Sequence, residues 1–418
     1  MRRIGTTAKT VKVCASSLLP RTVSVSYSVL MEREQLYKDL CQAYFDARKH
    51  KRNKPYQRRF EANWEQNLER LCDELINRTY HPLPSDCFVI TDPKRREVFA
   101  AHFRDRIVHH LYFNYTHELY ERTFIQDSYS CIKNRGTHFG VNRLNRHILK
   151  ESQNYTKPCF VLKMDIRGYF MNINREKLLQ ICLETLEKMG NHKISKHRVA
   201  SWKEKIDMDF VKYLTQEIVL LDPTRECRFI GPKSEWDELP HDKSLFHSPK
   251  GCGLPIGNLT SQLFSNVYLN VFDQFMKREL RCRHYGRYVD DFYVVSSDYQ
   301  WLESLVSPII GFLLSKLGLK IHEGKTRIIP INEGVEYLGA FVLPYRTYLS
   351  RATLERIDAK LHALEYEIKN THIGNALNSY CGVLSHWRGY NTRKTMLLCR
   401  HHFTQHGMFD YDVRHFYD

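Results

Sequence analysis

The chain has 418 residues, and 63 Lys and Arg against 47 Asp and Glu give it a formal charge of +16. A hydrophobic content of 42% excludes a disordered chain, and no apolar run approaches the roughly twenty residues of a membrane-spanning helix. Twelve scattered cysteines without one CxxC pair exclude a disulfide-dense secreted domain and a zinc ribbon, and fit reduced thiols of an intracellular protein.

The charge excess favours a polyanionic partner, nucleic acid before an anionic membrane surface; a solvated basic surface fits the same excess. Residues 1–30 hold no acid and are rich in Ser, Thr and Val. They read either as a disordered leader resembling a transit peptide or as a start upstream of Met31, where the texture changes. From there Leu36, Leu40 and Tyr44 recur at helical spacing. Residues 48–59 hold seven Lys and Arg, including Arg48, Lys49, Lys51, Arg52 and Lys54, with Tyr56 in their midst. Such a run suits phosphate contacts and base stacking on the ring, and equally an exposed linker. A helix is expected over 60–76, ended by Pro82 and Pro84.

Residues 87–113 read as a strand, a basic turn, a short strand and a helix, and 159–164 as an apolar strand that delivers Asp165. The stretch 221–250, rich in Pro, Gly and charge, reads as a long loop, functional or mobile. RYVDDFYVV, 287–295, is a hairpin signature with carboxylates at its tip, and 334–344 is a further hairpin-like strand. Beyond Ser350, the residues Leu354, Ile357, Leu361, Leu364 and Ile368 mark the buried stripe of an amphipathic helix. Helical patterns between such strands predict an α+β fold with an antiparallel sheet.

Two apolar strands that lead into aspartates need something to neutralise the acids, because an unpaired buried carboxylate is costly. Asp165, Asp290 and Asp291 could together hold two Mg²⁺ ions about 4 Å apart, the arrangement of nucleotidyl transfer. For the Asp pair alone a simple hairpin turn is the plainer explanation. Neighbours on a strand face opposite ways, so Asp290 is expected as the direct ligand and Asp291 nearer the primer end.

The surroundings extend this. KMDIRGYF, GLPIGNLTSQLFSNVYLN, YVDDF, LGLKIHEGKT and VEYLGAF resemble, in that order, the palm motifs of reverse transcriptases. DPKRREVFAAHFRDRIVHH and SYSCIKNRGTHFGVNRL are similar to the finger motifs, and the resemblance spans about 34–391. IGNLTSQ at 256–262 stands where most members carry QGxxxSP. That substitution, WDELPHDKSLF and SHWRGY are similar to the enzymes of diversity-generating retroelements. The resemblance implies a right-hand polymerase. A leader would occupy 1–30, fingers 31–155, an RRM-like antiparallel-sheet palm 156–349 with an insertion at about 221–250, and a helical thumb 350–418. It implies an RNA-directed DNA polymerase that copies a template-repeat RNA into error-prone cDNA, using two Mg²⁺ ions and dNTPs. Implied partners are the template RNA, the RNA–DNA hybrid, and either a small basic accessory variability protein or a dedicated noncoding RNA. No membrane is involved, and the setting is the cytoplasm, with a bacterial or phage gene. A defence-associated bacterial reverse transcriptase acting with a noncoding RNA would share the catalytic residues. A catalytically inactive RNA-binding scaffold is the alternative of another class, and the presence of all three aspartates speaks against it.

By the same resemblance Asp165 and Asp290 ligate both metals, Asp291 completes the triad, and the backbone carbonyl of Ile166 is a further ligand. Phe170 blocks a ribose 2′-hydroxyl, so that dNTPs are selected. Lys94 and Arg96 grip the triphosphate, and Lys325 helps to protonate the departing pyrophosphate. Ile256, Gly257, Ser261 and Gln262 line the floor under the templating base and the dNTP. Ile256 lacks the hydrogen bonds of a Gln there, which predicts weakened selection. Arg388, Arg393, Lys394 and Arg400 are the basic thumb residues expected to follow duplex phosphates.

Overall fold

Three helices open the described chain: α1 (Arg21–Arg48), α2 (Pro55–Glu61) and α3 (Trp64–Ile76). The computed structural model describes residues 21–49, 51, 53–92, 94–195, 198–366 and 373–417. It divides into two units, Met1–His81 with Phe103–Leu111, and Pro82–His102 with Tyr112–Asp418. In the first unit the stripe Leu36, Leu40 and Tyr44 is buried, as are Leu68, Leu71, Cys72 and Leu75 of α3. Apolar residues at three- and four-residue steps give each helix one buried face. Tyr44 stacks on Trp64 with ring centres 5.4 Å apart and donates its hydroxyl to Glu61 at 2.9 Å. The helix expected over 60–76 is broken in two. Asn63 leaves the helical region at φ −138° and ψ 44°, and Asn67 donates its side-chain amide to the Phe60 carbonyl at 3.0 Å.

The second unit follows with β1 (Ser85–Ile90), β2 (Arg96–Ala100), the later part of α4 (Phe103–Glu121), α5 (Thr137–Glu151), β3 (Phe160–Asp165), α6 (Tyr169–Asn172) and α7 (Arg175–Gly190). Then come β4 (Lys193–Ser195), β5 (Arg198–Ser201), α8 (Trp202–Lys205), α9 (Met208–Val219), β6 (Cys227–Phe229) and α10 (Leu259–Gln274). β7 (Tyr285–Tyr288), β8 (Asp291–Ser296), α11 (Tyr299–Phe312) and β9 (Arg327–Pro330) complete the central sheet region. The chain continues through β10 (Val335–Tyr337), β11 (Ala340–Leu343), β12 (Arg346–Leu349), α12 (Arg351–Tyr366), α13 (Ile373–Leu384) and α14 (Tyr390–Leu398). The expected α+β class is therefore what the chain adopts.

The central sheet has the order β7–β8–β3–β9 and every pairing in it is antiparallel. Its two inner strands, β3 and β8, are largely apolar because both of their faces are covered. On one face Val161, Tyr293 and Val295 pack with Val141, Leu144 and Ile148 of α5 and with Val335 and Val342. Alternate residues face the other way, where Phe292 meets Phe272 of α10 edge-on at 5.1 Å. A second sheet, β2–β1–β6, takes its third strand from the 221–250 stretch. The long loop expected there thus carries β6 and three short turns of 3₁₀ helix. In α12 the residues Ile357 and Leu361 are buried, while Leu354 and Leu364 are partly so; Ile368 lies outside the described residues. Every described cysteine is a free thiol, and no described helix is long and apolar enough to cross a membrane.

Candidate active site

The apolar run of β3 ends at Asp165, and the β3–β8 register places Asp165 directly across from Asp291. Ile166 donates its N–H to the Asp290 carbonyl at 3.2 Å. Three aspartates thus share one end of two neighbouring strands, at the tip of the β7–β8 hairpin.

The turn that carries them is strained and heavily braced. Val289 has φ +54°, a backbone region that a β-branched residue rarely enters and that costs about 1–3 kcal/mol. Arg287 donates to the Val289 carbonyl at 2.9 Å, and the Ser130 hydroxyl accepts the Val289 N–H at 3.3 Å. Arg287 is fully buried, and its fork meets Asp273 of α10, equally buried, at 2.8 and 2.6 Å. The Tyr285 hydroxyl donates to the same carboxylate at 2.6 Å. Asn266 of α10 donates to the Ser130 carbonyl and accepts the Ser130 hydroxyl at 2.8 and 3.0 Å. The SYSC segment, residues 128–131, therefore buttresses the acidic hairpin. Sequence reasoning missed Arg287, Asp273, Asn266 and Ser130. The available signal was two opposite charges inside apolar runs, Arg287 before YVDD and Asp273 in NVFDQF, which burial forces to pair.

Two lysines face the carboxylates. Lys325 lies 2.5 Å from Asp165, and Lys163 lies 3.5 Å from Asp291 while donating to the Glu336 carbonyl at 2.9 Å. Burial, reinforced by the Asp165 charge, pushes the Asp290 carboxyl up to about 6. Burial likewise pushes Asp291 up to about 7 against the opposing pull of Lys163. The Arg96 charge acts on Asp290 in the opposite direction, so the basic turn is within electrostatic reach of the acids. Among the described residues no group of three or more Asp, Glu, His or Cys side chains is gathered closely enough to hold a metal ion. The donor chemistry nevertheless fits a hard divalent cation. It consists of carboxylate oxygens, one of which, Asp291 Oδ1, is buried with no hydrogen-bond partner.

Phe170 of α6 and Ile256 are partly buried against one cluster with Phe99 and Met171. The Phe99 N–H donates to the Ile256 carbonyl at 2.9 Å, which ties the segment before α10 to β2. Gly257 has φ +118°, and a Cβ there would stand 2.8 Å from Val98, so both conformation and contact require glycine. Ser261 is buried and Gln262 exposed at the start of α10. Lys94 and Arg96 are exposed at the β1–β2 turn, while Arg95 between them is tied to Glu238 and to the Glu235 carbonyl.

The basic residues divide differently from expectation. Arg393 is a correction. It is only 3% exposed and donates to the carbonyls of Asp412 at 2.6 Å and Leu384 at 3.3 Å, so it fastens the C-terminal helices and has no face for a phosphate. Arg400 pairs with Asp358 and Glu365, whereas Arg388 and Lys394 are exposed. In the first unit Arg48 pairs with Glu61 at 2.9 Å and lies over the Tyr44 and Phe45 rings. Tyr56 has the Arg106 guanidinium 4.7 Å from its ring centre. Lys51 is partly buried, Lys49 and Lys54 are exposed, and Arg52 lies outside the described residues.

The sequence pattern of the family described as reverse transcriptase (RNA-dependent DNA polymerase) matches residues 94–342, more than half of the chain. The chain belongs to that family. Protein YkfC of Escherichia coli (strain K12) is 24% identical over 306 residues, covering 65% of this chain and 70% of YkfC. Among solved structures, the telomerase of Candida albicans bound to a TWJ fragment of telomeric RNA aligns with a TM-score of 0.46 and 11% identity, over 84% of this chain and 59% of its own. Apo telomerase of Candida tropicalis aligns with a TM-score of 0.43 and 11% identity, over 70% of this chain and 55% of its own. The chain spans little more than half the length of those telomerases.

Proposed function

We propose that the protein is an RNA-directed DNA polymerase that extends a primer with dNTPs along an RNA template, at the β3 and β7–β8 aspartates. The observation that carries this reading is the facing of Asp165 and Asp291 across two paired strands, with Asp290 in the braced turn between β7 and β8. Asp165, Asp290, Asp291 and the Ile166 carbonyl would hold two Mg²⁺ ions, which activate an attacking hydroxyl and stabilise the leaving phosphate oxygen. Lys325 would give a proton to the departing pyrophosphate, a role that its ion pair with Asp165 supports. Lys94 and Arg96 bind the triphosphate, and the Phe170 ring excludes a 2′-hydroxyl. In this reading 31–155 serve as fingers, 156–349 as palm and 350–418 as thumb, with the exposed Arg388 and Lys394 following duplex phosphates.

The biological role we propose is error-prone copying of a template-repeat RNA in a diversity-generating retroelement, served by an accessory protein or a noncoding RNA. Ile256 supports it, because an aliphatic side chain beside the nucleotide supplies no hydrogen bond that a misfit would lose. The test is to copy a primed RNA of mixed sequence with Mg²⁺ and dNTPs and to sequence the cDNA. Errors concentrated at template adenines support the role. Faithful cDNA overturns it in favour of a defence enzyme.

A further inference from the structure

The 221–250 stretch has no part in the function above, yet one buried acid binds it to the nucleotide-facing wall. Glu97 of β2 is 1% exposed. Its carboxylate accepts the Trp236 indole N–H at 2.8 Å, the Ser244 hydroxyl at 3.0 Å and the Leu245 backbone N–H at 2.6 Å. A buried carboxylate needs such donors, and all three come from residues about 140 positions further along the chain. The segment held in this way packs where selectivity would be set. Leu245 joins Cys87, Phe99 and Met171 in one cluster, and Phe170, Ile256 and Trp236 pack against it. Leu245 leaves no room at Gly253 (φ +100°), where a Cβ would stand 2.3 Å from its side chain. Asp242 of the same segment pairs with Arg167, two residues after Asp165, at 3.5 Å.

We propose that 221–250 is a selectivity strap, clamped by Glu97, that fixes how closely Phe170 and Ile256 approach the sugar and base of the incoming nucleotide. Glu97 is a positioning residue and touches no substrate. The inference rests on Phe170 and Ile256 facing the nucleotide, as in the function proposed above. If the clamp loosens, the Phe170 ring and the Ile256 side chain lose their backing, and discrimination falls most against the ribose 2′-hydroxyl that the ring rejects, with any mismatch discrimination that rests on shape alone falling beside it.

Single-nucleotide extension of a primed RNA with Mg²⁺ tests this, with kcat and KM measured separately for the matched dNTP, a mismatched dNTP and the matched rNTP. Glu97→Gln keeps one acceptor oxygen and replaces the other by an amide NH2, which donates and cannot accept, and Trp236→Phe keeps a ring while removing one donor. The ratio of kcat/KM for dNTP over rNTP is expected to fall about tenfold in Glu97→Gln and about threefold in Trp236→Phe, the scale of weakened charge-assisted hydrogen bonds. Unchanged ratios in variants that melt within a few degrees of the wild type overturn the inference. So does a fall in kcat/KM by one common factor for all three nucleotides, the mark of a merely structural role. If the wild type extends no primer, the underlying reading fails and takes this one with it, so the two failures are told apart.

Discussion

At the tip of the β7–β8 hairpin, charges lie close together and largely out of water. Asp290 and Asp291 are raised by burial, and behind them Arg287 and Asp273 are fully enclosed. Along the C-terminal helices Arg388 and Lys394 are exposed, while Arg393 between them is enclosed by carbonyls. The difference teaches that charge marks function by its surroundings. Acids held together at a strained turn store a demand for cations, whereas a basic residue serves a phosphate only if no carbonyl or carboxylate has already taken it.

The largest effects belong to the bracing pair. Arg287→Ala leaves Asp273 buried and uncompensated, and costs about 3–5 kcal/mol of stability in urea unfolding. The double change Arg287→Met with Asp273→Leu restores most of that stability. Primer extension stays low, because the Val289 carbonyl has still lost its donor. Full recovery of extension by the double variant would show that the pair only supports folding. Ile256→Gln is expected to lower misincorporation at template adenines about tenfold, the scale of one hydrogen bond to the nucleotide; sequencing of the cDNA reads this directly.

The basic side of the comparison is sharpened by two neighbours. Arg393→Ala lowers the melting temperature with little change in the salt slope of RNA–DNA hybrid binding. Lys394→Ala leaves the melting temperature alone and reduces that slope by about one. The reverse pattern would mean that burial does not sort these residues.

A smaller effect is the pH dependence of the protein stripped of divalent ions. Folding raises Asp290 from 3.8 to about 6 and Asp291 from 3.8 to about 7, so the folded chain binds more protons than the unfolded one between those values. The stability this contributes is complete below about pH 4 and is lost as pH rises through about 6 to 7. The wild type should therefore lose melting temperature relative to Asp290→Asn across that window, and Mg²⁺ should recover more at about pH 8 than at about pH 5. Parallel curves for the two proteins would contradict the electrostatic reading of the turn.

Strands β3, β7 and β8 of the central sheet and the carboxylates at their ends were legible because an apolar run with an acid at its end is local information, whereas β9, the four residues after the EGKT block, was not read as a strand. The hairpin 287–295 and the stripe of α12 needed nothing more. What the sequence concealed was which charges were already satisfied. Arg393 sits in a basic stretch like Lys394, and only the carbonyls of Leu384 and Asp412 distinguish them. Glu97 reads as one charge in a charged turn, and its three donors lie far along the chain in a segment that periodicity cannot place. The broken helix at Asn63 did leave a local signal that sequence reasoning missed, since asparagine favours caps and turns over helix interiors and Asn63 is the N-cap of α3.

One measurement bears most directly on the acidic turn as the seat of chemistry. Wild type and Asp290→Ala are compared for extension of a DNA primer on an RNA template with Mg²⁺ and dNTPs, and each is melted in parallel. The wild type should extend, and Asp290→Ala should lose more than about a hundredfold, beyond the cost of an outer partner of a metal site. Its melting temperature should hold or rise, because a carboxyl raised by burial has been removed. Extension by Asp290→Ala at the wild-type rate would contradict the assignment outright.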